Sequence, residues 1–393
     1  MLRRARLHSV QCLSTYGRAQ TIFRMQHTAL AEKRVIVSGI QPTGVPHLGN
    51  YLGALKSWVE LQNTAQPQDE LYFFIVGLHA LTVPQNPKTL FADRQNLMAA
   101  LLAIGVDPLR CTLFQQDAVP EHAELMWYFA CITSFGRLER MTTWKSKLAT
   151  LHNGGNTDHV QASQLQLGLF AYPVLQAADI LLYHPTHVPV GEDQAQHLEL
   201  TRDIAEGFNR MVKKRYFPTP STLHTPSKKI LSLRNPAVKM SKSAPDANSR
   251  ILLTDSPKNI QAKVRRAVTD ADRFLSYDPE ARPGVSNLIN ILSALDGGTL
   301  RRELGTTVLD TDPARLAETL HTATGGSGAK LKAILSESLI EALRPIQERY
   351  HDLLQDPTYL ATIEKRGAER ARERAHTTIS QVRTMLGLQK ETL

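Results

Sequence analysis

Val35-Ile36-Val37 is a short β-branched run with the composition of a buried strand. Ser38-Gly39-Ile40-Gln41-Pro42-Thr43-Gly44 follows it, dense in turn residues. Leu48, Leu52, Leu55 and Val59 then recur at helical spacing, so a helix opens near Leu48. The alternation continues down the chain. Strand-like runs fall at Arg34–Ser38, Leu71–Val76, Arg110–Gln115 and His187–Val190, with helical patterns at Leu48–Gln62, Leu90–Ile104 and Asp193–Phe208. Strands alternating with helices predict an α/β fold, a doubly wound parallel sheet. From about Ser256 strand signals fade. Helical patterns then run through Gln261–Val268, Leu288–Leu295, Ala314–Ala323, Gly328–Leu354 and Ala361–Met385, with Pro345 expected to start a new helix or kink the longest stretch. Leu151–Gln166 is polar and reads as a surface loop.

A chain of 393 residues with 42% hydrophobic content suits two globular domains. No apolar run reaches bilayer-spanning length. Cys12, Cys111 and Cys131 form no CxxC pair, which argues against a disulfide framework or a thiolate zinc site. The N-terminus is unlike the rest. Arg3, Arg4, Arg6, Arg18 and Arg24 stand among hydroxyl residues, and no acid precedes Glu32. That is the pattern of a mitochondrial transit peptide, with an attached basic arm as the alternative. Setting those five aside from 46 basic residues leaves 41 against 37 acidic ones, so the net charge of +9 is weak evidence for nucleic-acid binding.

Two peptides carry chemistry. Pro46-His47-Leu48-Gly49-Asn50 lies at the helix start, where free N–H groups suit an anion and Gly49 lets a ligand approach. Lys239-Met240-Ser241-Lys242-Ser243 is a basic loop between Pro236 and Pro245, with point charges suited to a migrating phosphate. Each alone also reads as an ordinary loop. Further on, Tyr172, Gln176 and Asp179 fall at i, i+4 and i+7, which puts a phenol, an amide and a carboxylate on one helix face. Pro173 suits the first turn of that helix. Asp179 sits among apolar neighbours and needs a partner. Deleting it is expected to spare the fold. Gly191-Glu192-Asp193 gives a strand end and an acidic helix start. The segment Lys365, Arg366, Arg370, Arg372, Arg374 carries interleaved glutamates and reads as a salt-bridged solvent face rather than an RNA contact.

In this order the peptides resemble the HIGH and KMSKS signatures of class I aminoacyl-tRNA synthetases. The blocks Ser38–Leu55, Leu138–Lys147, Tyr172–Tyr183, Val188–Asp203, Arg282–Asn290 and Leu343–Tyr350 are similar to bacterial and organellar tryptophanyl-tRNA synthetases. The arginine-rich start sets the expected transit peptide at 1–33, and the resemblance implies a Rossmann-like catalytic domain over 34–255 and a helical anticodon-binding domain over 256–393. It implies activation of L-tryptophan with ATP, Mg²⁺ arriving on the nucleotide, transfer to tRNA(Trp), a homodimer and a place in the mitochondrial matrix. His47, Asn50, Lys239 and Lys242 match catalytic positions. Gln41, Pro42, Thr43, Gly49, Asn50, Gly191, Glu192, Asp193, Ile230, Lys239, Met240, Ser241, Lys242 and Ser243 match the ATP site. Asp179, Tyr172, Gln176, Gln194 and His79 match the tryptophan site, Asp179 as the acceptor for the indole N–H. Lys145 and Lys147 match basic residues near the phosphates, with a solvated helix face as the alternative, and His197 reads as structural. Two positions depart from the pattern. Asn50 replaces the last histidine of HIGH, and Gln176 replaces a methionine common in tryptophan enzymes, as in tyrosyl enzymes. A non-catalytic RNA-binding relative is the rival from another class.

Overall fold

The computed structural model describes residues 33–152, 165–191, 194–223, 229–242, 244–295, 298–305 and 312–390. The expected transit peptide therefore lies outside the described residues, apart from Lys33, as does most of the Leu151–Gln166 loop.

Five parallel strands make one sheet in the order β3-β2-β1-β4-β5. They are β1 Val35–Ile40, β2 Glu70–Ile75, β3 Thr112–Gln115, β4 His187–Pro189 and β5 Ser221–Leu223. Val35 pairs with Glu70, Tyr72 with Thr112, Ile36 with His187, and His187 with Ser221. Side chains alternate between the two faces. Ile36, Phe73, Ile75 and Leu113 enter one core, while Val35, Val37, Tyr72, Phe74 and Phe114 enter the other. Burial on both faces explains why β2 is apolar almost throughout. The strand order reverses between β1 and β4, and that crevice is where an open α/β sheet binds ligands.

The elements follow the periodicity, with four differences. The expected helix Leu48–Gln62 is three pieces: an α-helical turn Leu48–Asn50, a π-helical segment Tyr51–Leu55 and the α-helix Lys56–Thr64. Pro173 lies well inside the helix Leu167–Leu181, not in its first turn. Pro345 likewise lies inside one continuous helix, Gly328–Gln355, and starts no new one. β5 was not visible in the sequence, being three partly polar residues at a sheet edge.

The last helix, Pro357–Met385, returns to the sheet. Gly367 lies against β3 so closely that a Cβ there would sit 1.8 Å from the Leu113 carbonyl oxygen. Ala371, Ala375, Ile379 and Val382 enter the second core. The basic residues of this helix divide their work. Lys365 faces Glu369 at 4.0 Å, a solvent pair. Arg370 and Arg372 instead donate to the backbone carbonyls of Pro108 and Ala118, at 3.2 and 2.7 Å.

Candidate active site

The carboxyl ends of the central strands line up. Val76 N–H donates to the Ile40 carbonyl, and Leu78 N–H donates to the Gln116 side chain just past β3. The site is built on that edge.

His47 caps the helical turn after β1. Its Nδ1 accepts from Asn50 N–H, and Asn50 Oδ1 accepts from His47 N–H, both at 3.2 Å. This is a reciprocal capping box with histidine in the usual serine place. Because Nδ1 accepts, the ring proton sits on Nε2. Burial, with Arg250 and Lys242 nearby, lowers the imidazole to about 4, so the ring is neutral at physiological pH. The turn is stitched to the segment beyond the basic loop, with Leu48 N–H donating to Ile251 at 2.8 Å and Leu253 N–H to Pro46 at 3.0 Å. A π-helical segment follows, a departure from α-helical geometry often found at functional sites.

The basic loop is half of a small hairpin. Leu231 bridges Lys239, Met240 N–H donates to the Ile230 carbonyl at 3.0 Å, and Ser232 N–H donates to Val238 at 2.9 Å. Met240 is buried and its Cβ lies 3.3 Å from where a Cβ of Gly49 would be. Gly49 thus lets the first peptide meet the second. Lys242 crosses to the turn after β1 and donates to the Thr43 carbonyl. Gly44, at φ +72°, lies between that ammonium and Asp93. Thr43 N–H closes back on Gln41 at 2.9 Å, with Pro42 buried between them. Lys239 and Ser241 belong to the same loop, and Ser243 lies outside the described residues. Gly191 is exposed past β4 and its carbonyl accepts from Gln194 N–H at 3.0 Å. Glu192 and Asp193 also lie outside the described residues.

The second half of the site is buried. Asp179 is 3% exposed on the helix Leu167–Leu181. Its Oδ2 accepts from His79 Nε2 at 2.8 Å, and its Oδ1 from His122 Nδ1 at 2.7 Å. Gln116 Nε2 donates to both oxygens, at 2.7 and 2.8 Å. Burial alone would raise this carboxyl, but the bonds from His122 and His79 outweigh it and hold it at about 2. Tyr183 completes the chain, 2.8 Å from His122 Nε2. Burial, reinforced by the Asp179 charge, keeps the Tyr183 phenol protonated, so it donates. Tyr172 is buried beside this group. Its hydroxyl meets His197 Nε2 at 2.8 Å, and the Lys147 ammonium lies 3.9 Å from its ring centre. Burial lowers Lys147, which is therefore no solvent-face lysine. Lys145 lies over Trp144 instead. Gln176 Nε2 donates to Gln194 Oε1 at 3.2 Å, which ties the helix face to the chain after β4.

The geometry therefore brings His79 and Asp179 together, and Gln176 with Gln194. It joins His47, Asn50 and Gly49 in one turn, sets Met240 of the hairpin against that turn, and brings Lys242 to Thr43. Gln116, His122, Tyr183 and Asp93 went unread in the sequence. Gln116 had a signal: it follows directly on β3, at the carboxyl edge where parallel sheets place their sites.

A strand-order reversal flanked by these two signature loops defines a class I tRNA synthetase. The family model "tRNA synthetases class I (W and Y)" matches residues 30–321, most of the chain. The mitochondrial tryptophan–tRNA ligase of Saccharomyces cerevisiae is 43% identical over 389 residues, 97% of this chain and 98% of that protein. The Schizosaccharomyces pombe mitochondrial ligase is 44% identical over 368 residues, 92% and 97% of the two chains. The crystal structure of Mycoplasma pneumoniae tryptophanyl-tRNA synthetase superposes with a TM-score of 0.79 at 32% identity, covering 91% of this chain and 99% of that one. The chain belongs to the tryptophanyl-tRNA synthetase family.

Proposed function

We infer that this chain activates L-tryptophan with ATP and transfers it to tRNA(Trp) in the mitochondrial matrix. One observation carries the reading. An ionised, buried carboxylate and a lysine-bearing loop close on the same strand edge, one fit for an indole N–H and the other for a polyphosphate.

In the activation step the tryptophan carboxylate attacks the α-phosphorus of ATP. The bond to the bridging oxygen breaks and pyrophosphate leaves with its electrons. No protein nucleophile takes part, so the chain contributes position and charge. Neutral His47 offers Nε2–H to the phosphates. Lys239 and Lys242, with Ser241 and Ser243, follow the leaving pyrophosphate. Gln41, Pro42, Thr43, Gly49 and Asn50 line the nucleotide turn, with Gly191–Asp193 at the ribose and the Ile230 backbone at adenine. Mg²⁺ would come with the nucleotide, where its charge would offset that of the phosphates. Tyr172, Gln176 and Gln194 hold the amino-acid end. The indole N–H takes the Oδ2 position that His79 occupies. His79 retains 8% side-chain exposure against none for His122, so it is the donor able to move. The tRNA terminal 2′-hydroxyl then takes the aminoacyl group from the adenylate.

Residues 34–255 are the catalytic part and the helices of 256–393 the anticodon-binding part, with the last helix anchored on β3. A homodimer fits the exposure of Trp127 (66%) and Phe135 (68%), apolar side chains that a second copy would cover. The mitochondrial address rests on the two yeast relatives and the arginine-rich first 33 residues. Pyrophosphate exchange with each amino acid tests the activity. Tryptophan-dependent exchange is expected, and exchange driven by tyrosine instead overturns the reading.

A further inference from the structure

The structure assigns Asn287 as a positioning residue for the Lys239–Lys242 segment of the basic loop. The assignment rests on the activation chemistry proposed above.

Asn287 is 2% exposed on the helix Pro283–Ala294, outside the strand edge that holds the site. Its side chain grips one backbone unit from both sides. Oδ1 accepts from Leu231 N–H at 2.8 Å, and Nδ2 donates to the Leu231 carbonyl at 3.0 Å. Both ends of the amide are used, so its orientation is fixed. Leu231 is the residue that bridges Lys239 across the hairpin. Its neighbours Ile230 and Ser232 carry the two flanking bonds to Met240 and Val238. Asn287 thus pairs with the outer edge of a strand whose inner edge holds the lysine loop. Without it, a partly buried N–H and carbonyl of Leu231 lose their side-chain partner together. Leu231 is then held only through the lysine-bearing side of the hairpin, and Lys239 and Lys242 lose their fixed reference.

Both polar ends of the Asn287 side chain are spent on the Leu231 backbone, so its effect falls on ATP use in the transition state and not on tryptophan binding. Asn287→Ala is expected to lower kcat/KM for ATP in tryptophan-dependent pyrophosphate exchange by about 10-fold, near 1.4 kcal/mol. Tryptophan affinity, read by fluorescence titration, stays within about twofold. Asn287→Asp is the second variant. It keeps the acceptor for Leu231 N–H but sets a carboxylate against the Leu231 carbonyl, so it loses at least as much as Ala. Ser286→Ala is the stability control. Ser286 is as buried, on the same helix, but bonds Asp278 N–H at 2.9 Å instead of the hairpin. It lowers Tm and leaves the ATP parameters near wild type. The role is overturned if folded Asn287 variants keep wild-type kcat/KM for ATP. It is equally overturned if tryptophan affinity falls in step, or if Ser286→Ala shows the same ATP loss. A wild-type chain without tryptophan-dependent exchange overturns the proposed function instead.

Discussion

The two halves of the site are held in opposite ways. Around Asp179 the order comes from side chains. Four hydrogen bonds from three residues converge on one buried carboxylate, and a fifth from Tyr183 fixes His122 behind it. Around His47 and Lys242 the order comes mainly from backbone, with the His47–Asn50 capping box and the Asn287 amide as its side-chain ties. Loop carbonyls and N–H groups are stitched to one another, and the charged side chains rest on top. A buried network is costly to leave half-satisfied, so it specifies one shape. A loop-to-loop seam leaves cations free to follow charge as it migrates. The amino-acid end is thus suited to rejecting wrong shapes, and the nucleotide end to following a reaction.

The largest test of this contrast is Asp179→Ala. The sequence alone suggested that losing a charge among apolar residues would spare the fold. The structure reverses that expectation, because His79, Gln116 and His122 would all lose their acceptor. A loss of about 3–5 kcal/mol is expected, as for breaking a buried pair. Chemical unfolding measures it, and a change below about 1 kcal/mol would show the network to be slack. In protein that remains folded, the kcat/KM gap between tryptophan and its benzothiophene analogue should also narrow.

Lys242→Ala strikes the other half. Adenylate formation should slow by about 10²-fold, near 2.7 kcal/mol, with tryptophan affinity and Tm little changed. Single-turnover rates decide it. A large fall in Tm with an unchanged rate would make the lysine a structural tie to Thr43.

Acid separates the halves in a third way. Below pH 6.5 the unfolded chain binds a proton at His47 that the native ring refuses until about pH 4. Stability therefore falls with falling pH across that window, by up to about 1.4 kcal/mol per unit. His184, also lowered to about 4 by burial with Arg374 near, adds a similar fall. Asp179 acts lower. Its carboxylate stabilises the fold above 3.8, and that contribution is lost as pH falls towards 2. Urea unfolding of wild type and His47→Gln at stepped pH should show the variant flatter between 6.5 and 4, and parallel to wild type below. Parallel curves throughout would place the His47 proton equilibrium elsewhere.

Much of this was legible in the sequence because it is local. β1 to β4 declare themselves by β-branched and aromatic runs, and both signature loops are contiguous peptides. What stayed hidden is what the fold assembles from distant elements. The partners of Asp179 come from residues 79, 116 and 122, on three elements, and no periodicity links them. Asn287 lies in a block matched only as a block. The π-helical segment Tyr51–Leu55 has the same apolar spacing as an α-helix, so periodicity could not reveal it.

The smallest expected effect concerns Asn50. In the sequence it stands as a departure from the HIGH pattern at a position matched to catalysis. The structure gives it a different task, since its Oδ1 accepts from His47 N–H while its own N–H donates to the His47 ring. Asn50→Ala removes the first bond and keeps the second, which is a backbone donor. The cost is that of half a capping box, about 1 kcal/mol. Asn50→Asp keeps the acceptor and should recover most of that stability. It also adds a negative charge beside the phosphate path, so its activation rate should fall below that of Asn50→Ala. Stability and rate therefore rank the two variants in opposite orders, which a purely catalytic or a purely structural Asn50 could not do. Thermal unfolding and single-turnover activation on the same preparations give both rankings. If they agree, the backbone seam at the nucleotide end does not rest on this side chain.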